Sequence, residues 1–240
     1  MFPATVHAIR LLSVVALGGL SGCTELSTGP NSTVPAMRVE LAAQRYEDPN
    51  GYFTIIPPAG CRVETYPNDP RGKVAFHLDG NTDLRVLVTP VDYSSFDTML
   101  AELRQKQREL RGRVDMGLEV TELDGRMAVK KTLELQGTKL VAYDFMVGKV
   151  HHDLQFASAR RDFGKYLPLV MVSIQTYEPI QRDVPPEAAK QAAIAKRVRL
   201  GRLFLDQGNI EAARQVIAEG LEMDPVNIEL VPLRERLDAK

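Results

Sequence analysis

Three glycine-containing turn signals between residues 118 and 158 constrain the fold of this chain more than any other feature of its sequence. The pairs Asp124-Gly125, Gln136-Gly137 and Val147-Gly148 each separate two runs in which apolar and polar residues alternate. Alternation with a period of two is typical of strands, and turns this short join antiparallel neighbours. The sequence therefore predicts a four-stranded antiparallel meander, with strands at 118–123, 126–135, 139–146 and 149–158.

Four segments before the meander also have the alternating pattern of short strands. Those at 53–57 and 61–66 flank Ala59-Gly60, and we expect them to pair with each other across it. Those at 73–79 and 84–91 flank Asp79-Gly80-Asn81, which is a favourable hairpin turn. The sequence thus predicts two further antiparallel pairs upstream of the meander.

Two other segments have apolar residues at helical spacing. The first runs from Phe96 to about Gly112, and Ser94 is placed to cap it. The second spans 163–177 and contains Pro168 near its beginning, where a proline is tolerated better than in mid-helix. Together with the strands, these helices predict an α+β domain at 46–178, an antiparallel sheet with helices packed on its faces.

The entry to this domain resembles a known family. The run Gly51-Tyr52-Phe53-Thr54-Ile55-Ile56-Pro57-Pro58-Ala59-Gly60 is similar to the Gly-Phe-x-Ile-x-x-Pro-x-Gly-Trp motif of PsbP-like domains, with Cys61 in place of the tryptophan. The order of hairpins and helices also fits, and the resemblance covers about 46–178. Members of this family are mostly small lumenal or periplasmic accessory proteins, so the resemblance implies an adaptor and not an enzyme.

After a proline-containing linker at 178–186, the sequence becomes helical to its end at 240. Residues 194–227 resemble one tetratricopeptide (TPR) repeat, in which Gly201 and Ala213 let two helices approach closely while larger residues fill the seam. A capping helix is expected at 228–238. The residues that match the repeat are Leu200, Gly201, Phe204, Gly208, Ala213, Ile217, Gly220, Leu221 and Pro225, with Arg197 at the usual tryptophan position.

A single repeat normally cannot bury its own apolar surface. The TPR-like unit at 186–240 is therefore expected to pack on another part of the chain, on a second copy or on a partner. The repeat pattern favours binding of a protein partner by this unit. The alternative is an ordinary helical hairpin that covers the first domain.

The N-terminus predicts a membrane address. Arg10 precedes an apolar stretch at 11–20, about half the length that a spanning helix needs, and small residues then lead into Cys23. The run Leu20-Ser21-Gly22-Cys23 resembles the box of bacterial lipoproteins. The resemblance implies that residues 1–22 are a cleaved signal peptide and that Cys23 is lipidated, which holds the protein at a bilayer. An uncleaved short anchor is the alternative.

The segment at 23–45 is rich in Thr, Ser, Pro, Gly and Asn, which predicts a flexible tether with a short helix at 36–45. Thr24 follows the cysteine, where aspartate often signals retention in the inner membrane, so the outer membrane is favoured. The other cysteine, Cys61, is expected to be buried as a small hydrophobic residue.

Neither the charge balance of the chain nor the positions of its histidines indicate a catalytic site. The chain has 30 basic and 31 acidic residues, a balance that argues against nucleic acid as a partner. The one histidine cluster, His151-His152-Asp153, lies on a predicted strand, so His151 and Asp153 share a face while His152 points to the core. Two ligands are too few for an ordinary metal site. His77 is expected to point away from the core.

The sequence contains no phosphate-binding glycine loop and no nucleophile elbow. The basic run at 104–113 is typical of a solvated helix face, and the alternative, given the anchor, is contact with lipid headgroups. We predict no catalytic residue, cofactor or metal. The hypothesis is a membrane-anchored periplasmic lipoprotein that acts as a protein-interaction or assembly adaptor. The alternative is a lipoprotein that binds a small ligand or metal on its α+β domain.

Overall fold

The structure, a computed structural model, describes residues 40–66, 72–79, 81–93, 95–180 and 186–239. All of these lie in one compact unit, Met37–Lys240. The predictions on the signal peptide at 1–22, on Cys23, on the tether up to residue 39 and on the cap at Ser94 fall outside the described residues.

Strands and helices follow one another in nearly the order that the sequence predicts. The strands are β1 (Tyr46–Glu47), β2 (Phe53–Ile55), β3 (Arg62–Thr65), β4 (Gly72–Asp79), β5 (Thr82–Pro90), β6 (Asp115–Leu123), β7 (Arg126–Leu135), β8 (Thr138–Val147), β9 (Val150–Ala159) and β10 (Glu178–Pro179). The helices are α1 (Phe96–Leu110), α2 (Arg160–Gln175), α3 (Pro186–Asp206), α4 (Ile210–Met223) and α5 (Leu230–Asp238).

Seven of the strands form one antiparallel sheet in the order β3-β4-β5-β9-β8-β7-β6. The predicted meander, β6 to β9, is confirmed. In two of its turns both central residues have positive φ, at Asp124-Gly125 and Gln136-Gly137. Turns of this kind match the twist of the flanking strands, which explains why glycine occupies the second position of each.

The inner face of the sheet packs against α2 and carries the main core, whose largest members include Phe76, Phe145 and Phe156. A small second sheet, in the order β1-β2-β10, adds Phe53 to this core, and Tyr177, which directly precedes β10, joins it. The prediction that 53–57 pairs with 61–66 is therefore wrong, because β2 pairs with β1 and β10 while β3 pairs with β4.

Backbone hydrogen bonds after β2 explain this different pairing. The Ala42 amide donates to Pro57 O over 2.8 Å, and the Ala59 amide donates to Glu40 O over 2.9 Å. The residues that follow β2 thus bond to 40–42 and not to 61–66, and the described residues 40–45 form no helix, contrary to the helix expected at 36–45. The linker predicted from 178 also begins later, because Glu178 and Pro179 form β10.

Helix α1 packs on the opposite, outer face of the sheet, over β6, β7 and β8. Its buried side chains Met99 and Leu103 contact Val129. Helix α2 begins three residues earlier than predicted and contains Pro168 in its interior. Near its C-terminus, Ser173 Oγ donates to Ile56 O over 2.6 Å, which ties the helix to the end of β2.

The three C-terminal helices form a second core, in which α4 packs on α3 and α5 packs on both. Phe204 is completely buried there, so it is a core residue and not part of an exposed repeat face. Ile56 and Val172 of the α+β part join this core. The α+β class with a C-terminal helical hairpin is confirmed, and α5 matches the capping helix expected at 228–238.

Candidate functional site

A buried ionic cluster lies on the outer face of the sheet, next to α1. Lys131 Nζ lies 2.9 Å from Asp144 Oδ2 and 3.0 Å from Asp153 Oδ2. His151 Nε2 lies 2.9 Å from Asp144 Oδ1. We call these four residues the Lys131 cluster. Strand register brings them together, because Asp144 pairs with both Val129 and Asp153, and Lys131 lies two residues after Val129 on β7.

Burial governs the charges in this cluster. Asp144 is inaccessible to solvent. Burial and the Asp144 charge raise the pKa of Asp153 above its usual value. Burial alone would lower the pKa of Lys131, but the two carboxylates outweigh it and the pKa lies above the usual value. A lysine ammonium therefore occupies the place between the acids. Alternation along the strand predicts that His151 and Asp153 share a face, but no local sequence pattern indicates that Lys131 and Asp144 lie beside them.

The other two histidines within the described ranges, His77 and His152, lie where the alternation predicts. His152 is 1% exposed, its Nδ1 lies 2.7 Å from the Tyr177 hydroxyl, and its ring stacks on Phe145. Burial, with smaller contributions from His151 and Arg126, lowers its pKa to about 3, so it is neutral at physiological pH. His77 lies on the outer face in contact with Asp83 and Glu64.

A groove runs between helix α3 and the sheets. Its volume is about 560 Å³, and we call it the α3 groove. Apolar surface comes from Ile180, which is 42% exposed, and from alanines on α3. The residues that line it are Thr54, Asp124, Arg126, Glu178, Pro179, Ile180, Ala192, Ala193, Ala195, Lys196 and Arg199.

Positive charge exceeds negative charge at one end of the α3 groove. Asp124, at the β6–β7 turn, lies 3.1 Å from Arg126 Nη1 and 2.9 Å from Lys196 Nζ, and it also contacts Arg199. Three cations thus share one carboxylate. Burial is the main reason that the pKa of Lys196 falls to about 7, and the nearby arginines lower it further. An additional anion in the groove would stabilise the charged form of this lysine.

Arg197, at the position where the repeat pattern has tryptophan, is buried in a second ionic cluster behind the groove. It contacts Glu178 of β10 and lies 3.3 Å from Glu219 Oε2 of α4. Arg45 lies 2.6 Å from the same oxygen of Glu219 and 3.4 Å from Glu178. Two arginines and two glutamates therefore connect the C-terminal helices to the small sheet.

Cys61 is half-buried and packs against the main core, and burial raises the pKa of its thiol. Among the residues described, no group of three or more His, Cys, Asp or Glu side chains is arranged to hold a metal ion. Nor does any helix in the described ranges have the length and apolar character needed to cross a membrane.

Comparison with known proteins gives similarities of fold. No family model matches the sequence, and no curated protein matches it. The solution structure of cyanobacterial PsbP (CyanoP) from Synechocystis sp. PCC 6803 is 14% identical, with a TM-score of 0.43 over 68% of this chain and 100% of that one. A crystal structure from Bacteroides thetaiotaomicron is 12% identical, with a TM-score of 0.43 over 76% of this chain and 71% of that one. A protein of unknown function from Pseudomonas aeruginosa, a putative regulator, is 10% identical, with a TM-score of 0.37 over 57% of this chain and 97% of that one.

Proposed function

We propose that this protein is a bacterial lipoprotein, anchored through lipidated Cys23, whose folded body acts as a protein-interaction adaptor facing the periplasm. The run Leu20-Ser21-Gly22-Cys23 supports the anchor, and Thr24 favours the outer membrane. Anchoring confines the body to a surface and so raises the local concentration of a partner there. The TPR-like unit holds this partner.

The α3 groove is the observation that supports the adaptor role. Its wall is α3, the first helix of the TPR-like unit, and it combines exposed apolar surface at Ile180 with an excess of cations around Asp124. The seam between the helices of the TPR-like unit is filled by the unit's own side chains and by Ile56 and Val172. A partner therefore has to bind at an exposed surface, such as this groove.

The chemistry of the groove selects a partner segment that bears a carboxylate beside an apolar side chain. Ala192, Ala195 and Arg199 are exposed along one side of α3, at helical spacing. Lys196 and Arg126 both contact Oδ2 of Asp124, and an incoming carboxylate there would find partly desolvated cations. An apolar residue of the partner would pack on Ile180.

Crosslinking of the full chain in intact cells, followed by identification of captured proteins, tests this proposal. The combined exchange Ala195→Glu and Arg199→Glu fills the groove with negative charge without touching a buried apolar residue. Arg214→Glu combined with Ala218→Glu, at two exposed positions of α4 with the same residue types and spacing, is the matched control. A protein captured by the natural chain and by the control, but lost from the groove variant, is expected. An unchanged set of captured proteins would count against the groove.

The alternative function, binding of a small ligand or metal on the α+β domain, has less support. In the Lys131 cluster, the ammonium of Lys131 already lies between Asp144 and Asp153. Purified protein that carries a metal or ligand, and loses it on His151→Ala, would favour this alternative over the adaptor.

A further inference from the structure

Helix α1 and the residues that follow it carry a dense run of exposed cations. Residues 104–115 contain five basic and two acidic side chains, an excess of three positive charges in a chain whose formal net charge is −1. All five basic side chains are exposed, while Leu103 of the same helix is buried against the sheet. We call them the α1 patch, and its members are Arg104, Lys106, Arg108, Arg111 and Arg113.

These arginines differ from the others in having no carboxylate partner. Each of the other twelve arginines with described side chains has an aspartate or glutamate oxygen within 4.0 Å. Within the described ranges, the four arginines of the α1 patch and Lys106 have none. Of the arginines with described side chains, only the four in the α1 patch therefore lack a carboxylate within 4.0 Å, and Lys106 lies among them. The described lysines Lys149, Lys165 and Lys190 lack one as well, but none of them lies in a run of basic residues.

We propose that the α1 patch docks on the anionic phospholipid headgroups of the membrane to which the protein is anchored. This inference rests on the proposed lipid anchor, which would keep the body within reach of the headgroup layer. Clustered basic side chains near an anionic bilayer are attracted to it, and the attraction falls off within a Debye length.

The arrangement of the patch suits a lipid surface better than a particular acidic protein. Its charged groups are held by no hydrogen bond in the described structure, so they are free to follow phosphates that have no fixed positions. Gln107, Arg108, Arg111 and Arg113 also line a depression of about 670 Å³ beside the start of β6, which gives headgroups room between the cations. Docking would orient the body, with α1 toward the bilayer and the α3 groove left to a partner.

Vesicle binding by the full chain carrying Cys23→Ser tests the patch without any acyl chain. Vesicles of phosphatidylcholine alone are compared with vesicles that also contain phosphatidylglycerol, at low and at high salt. Any contribution of the apolar segment at 11–20 is common to both vesicle types. We expect preferential binding to the anionic vesicles, and we expect added salt to reduce it.

Exchange of the four patch arginines to glutamine is expected to weaken binding to anionic vesicles about tenfold or more. A matched variant, also in the Cys23→Ser chain, removes four paired, exposed arginines elsewhere and should bind like the chain that carries Cys23→Ser alone. Thermal unfolding of both variants checks that they fold. The control exchanges are Arg160→Gln, Arg161→Gln, Arg214→Gln and Arg234→Gln.

Three results would overturn the inference. The first is equal binding of the Cys23→Ser chain to neutral and anionic vesicles at low salt, which needs no exchange in the patch. The second is an equal loss in the patch variant and the control variant. The third is patch-dependent binding to polyglutamate without preference for anionic vesicles, which would assign the patch to an acidic protein. None of these bears on lipidation of Cys23, because the serine variant carries no lipid.

Discussion

Gly201 of α3 faces Ile217 of α4 so closely that a β-carbon at position 201 would lie 2.8 Å from Cγ1 of Ile217. Real β-carbons essentially never come this near a heavy atom that is not bonded to them. The close approach of the two helices, which the repeat pattern predicts from small residues at 201 and 213, is thus present, and Ala213 is completely buried beside it.

Gly201→Ala should destabilise the protein by about 1–3 kcal/mol, because Ile217 is buried and the two helices would have to move apart. The gain in helix propensity, about 1 kcal/mol, opposes this loss without cancelling it. Urea unfolding of the full chain measures the difference.

Gly164→Ala is the matched control for that exchange. It lies inside α2, and a β-carbon there would have nothing within 4 Å. The higher helix propensity of alanine is then the only expected effect, and it should stabilise the protein by up to about 1 kcal/mol. Equal effects of the two exchanges would mean that the contact between α3 and α4 is looser than described.

Lys131→Met should destabilise the protein at neutral pH by about 3–5 kcal/mol, because Asp144 and Asp153 would remain close together and buried without a cation. Lowering the pH should relieve part of this loss, since burial and the Asp144 charge raise the pKa of Asp153, and protonation of Asp153 removes one of the two facing charges. Chemical denaturation at several pH values measures both effects.

Lys130→Met controls for the loss of a lysine on the same strand. Lys130 is solvent-accessible and lies 3.4 Å from the exposed Glu119, so this exchange should change the free energy of unfolding by less than about 0.5 kcal/mol. A similar small effect at Lys131 would show that its cluster is not tightly held.

Acid should destabilise the protein partly through His152. Burial lowers its pKa to about 3, so between that pH and about 6.5 the unfolded chain binds a proton that the folded protein excludes. Over this window the free energy of unfolding should rise with pH, by up to about 1.4 kcal/mol per unit from this group alone.

His152→Gln removes this titrating group and should flatten the pH dependence of stability over the same window. Carboxylates elsewhere contribute equally to both proteins, so the difference between the two curves isolates the histidine. Parallel curves for the natural chain and the variant would contradict the burial of a neutral imidazole in contact with Tyr177.

The sequence predicts well those parts of the fold that local signals determine. The turns at Asp124-Gly125 and Gln136-Gly137 require positive φ, and the runs between them alternate, so the meander and the inward direction of His152 follow. The small sheet could not be predicted, because β1 and β10 have two residues each and β10 lies more than a hundred residues from its partner β2.

The candidate sites depend on register and packing that no local pattern shows. Asp144 lies in an apolar strand, and its contact with Lys131 becomes visible only once β7 and β8 are aligned. The α3 groove likewise depends on where α3 packs relative to the β6–β7 turn, which brings Lys196 to Asp124 across 72 residues of chain. The basic run at 104–113 is visible in the sequence, but whether its arginines have carboxylate partners depends on where the acidic side chains of the folded chain lie.

Labelling of cells with a radioactive fatty acid tests the membrane anchor, on which the adaptor proposal depends, most directly. The natural chain should carry the label and stay in the membrane fraction, whereas the Cys23→Ser variant should carry none. A natural chain that is unlabelled and released with the aqueous fraction, or a serine variant labelled to the same extent, would contradict the account.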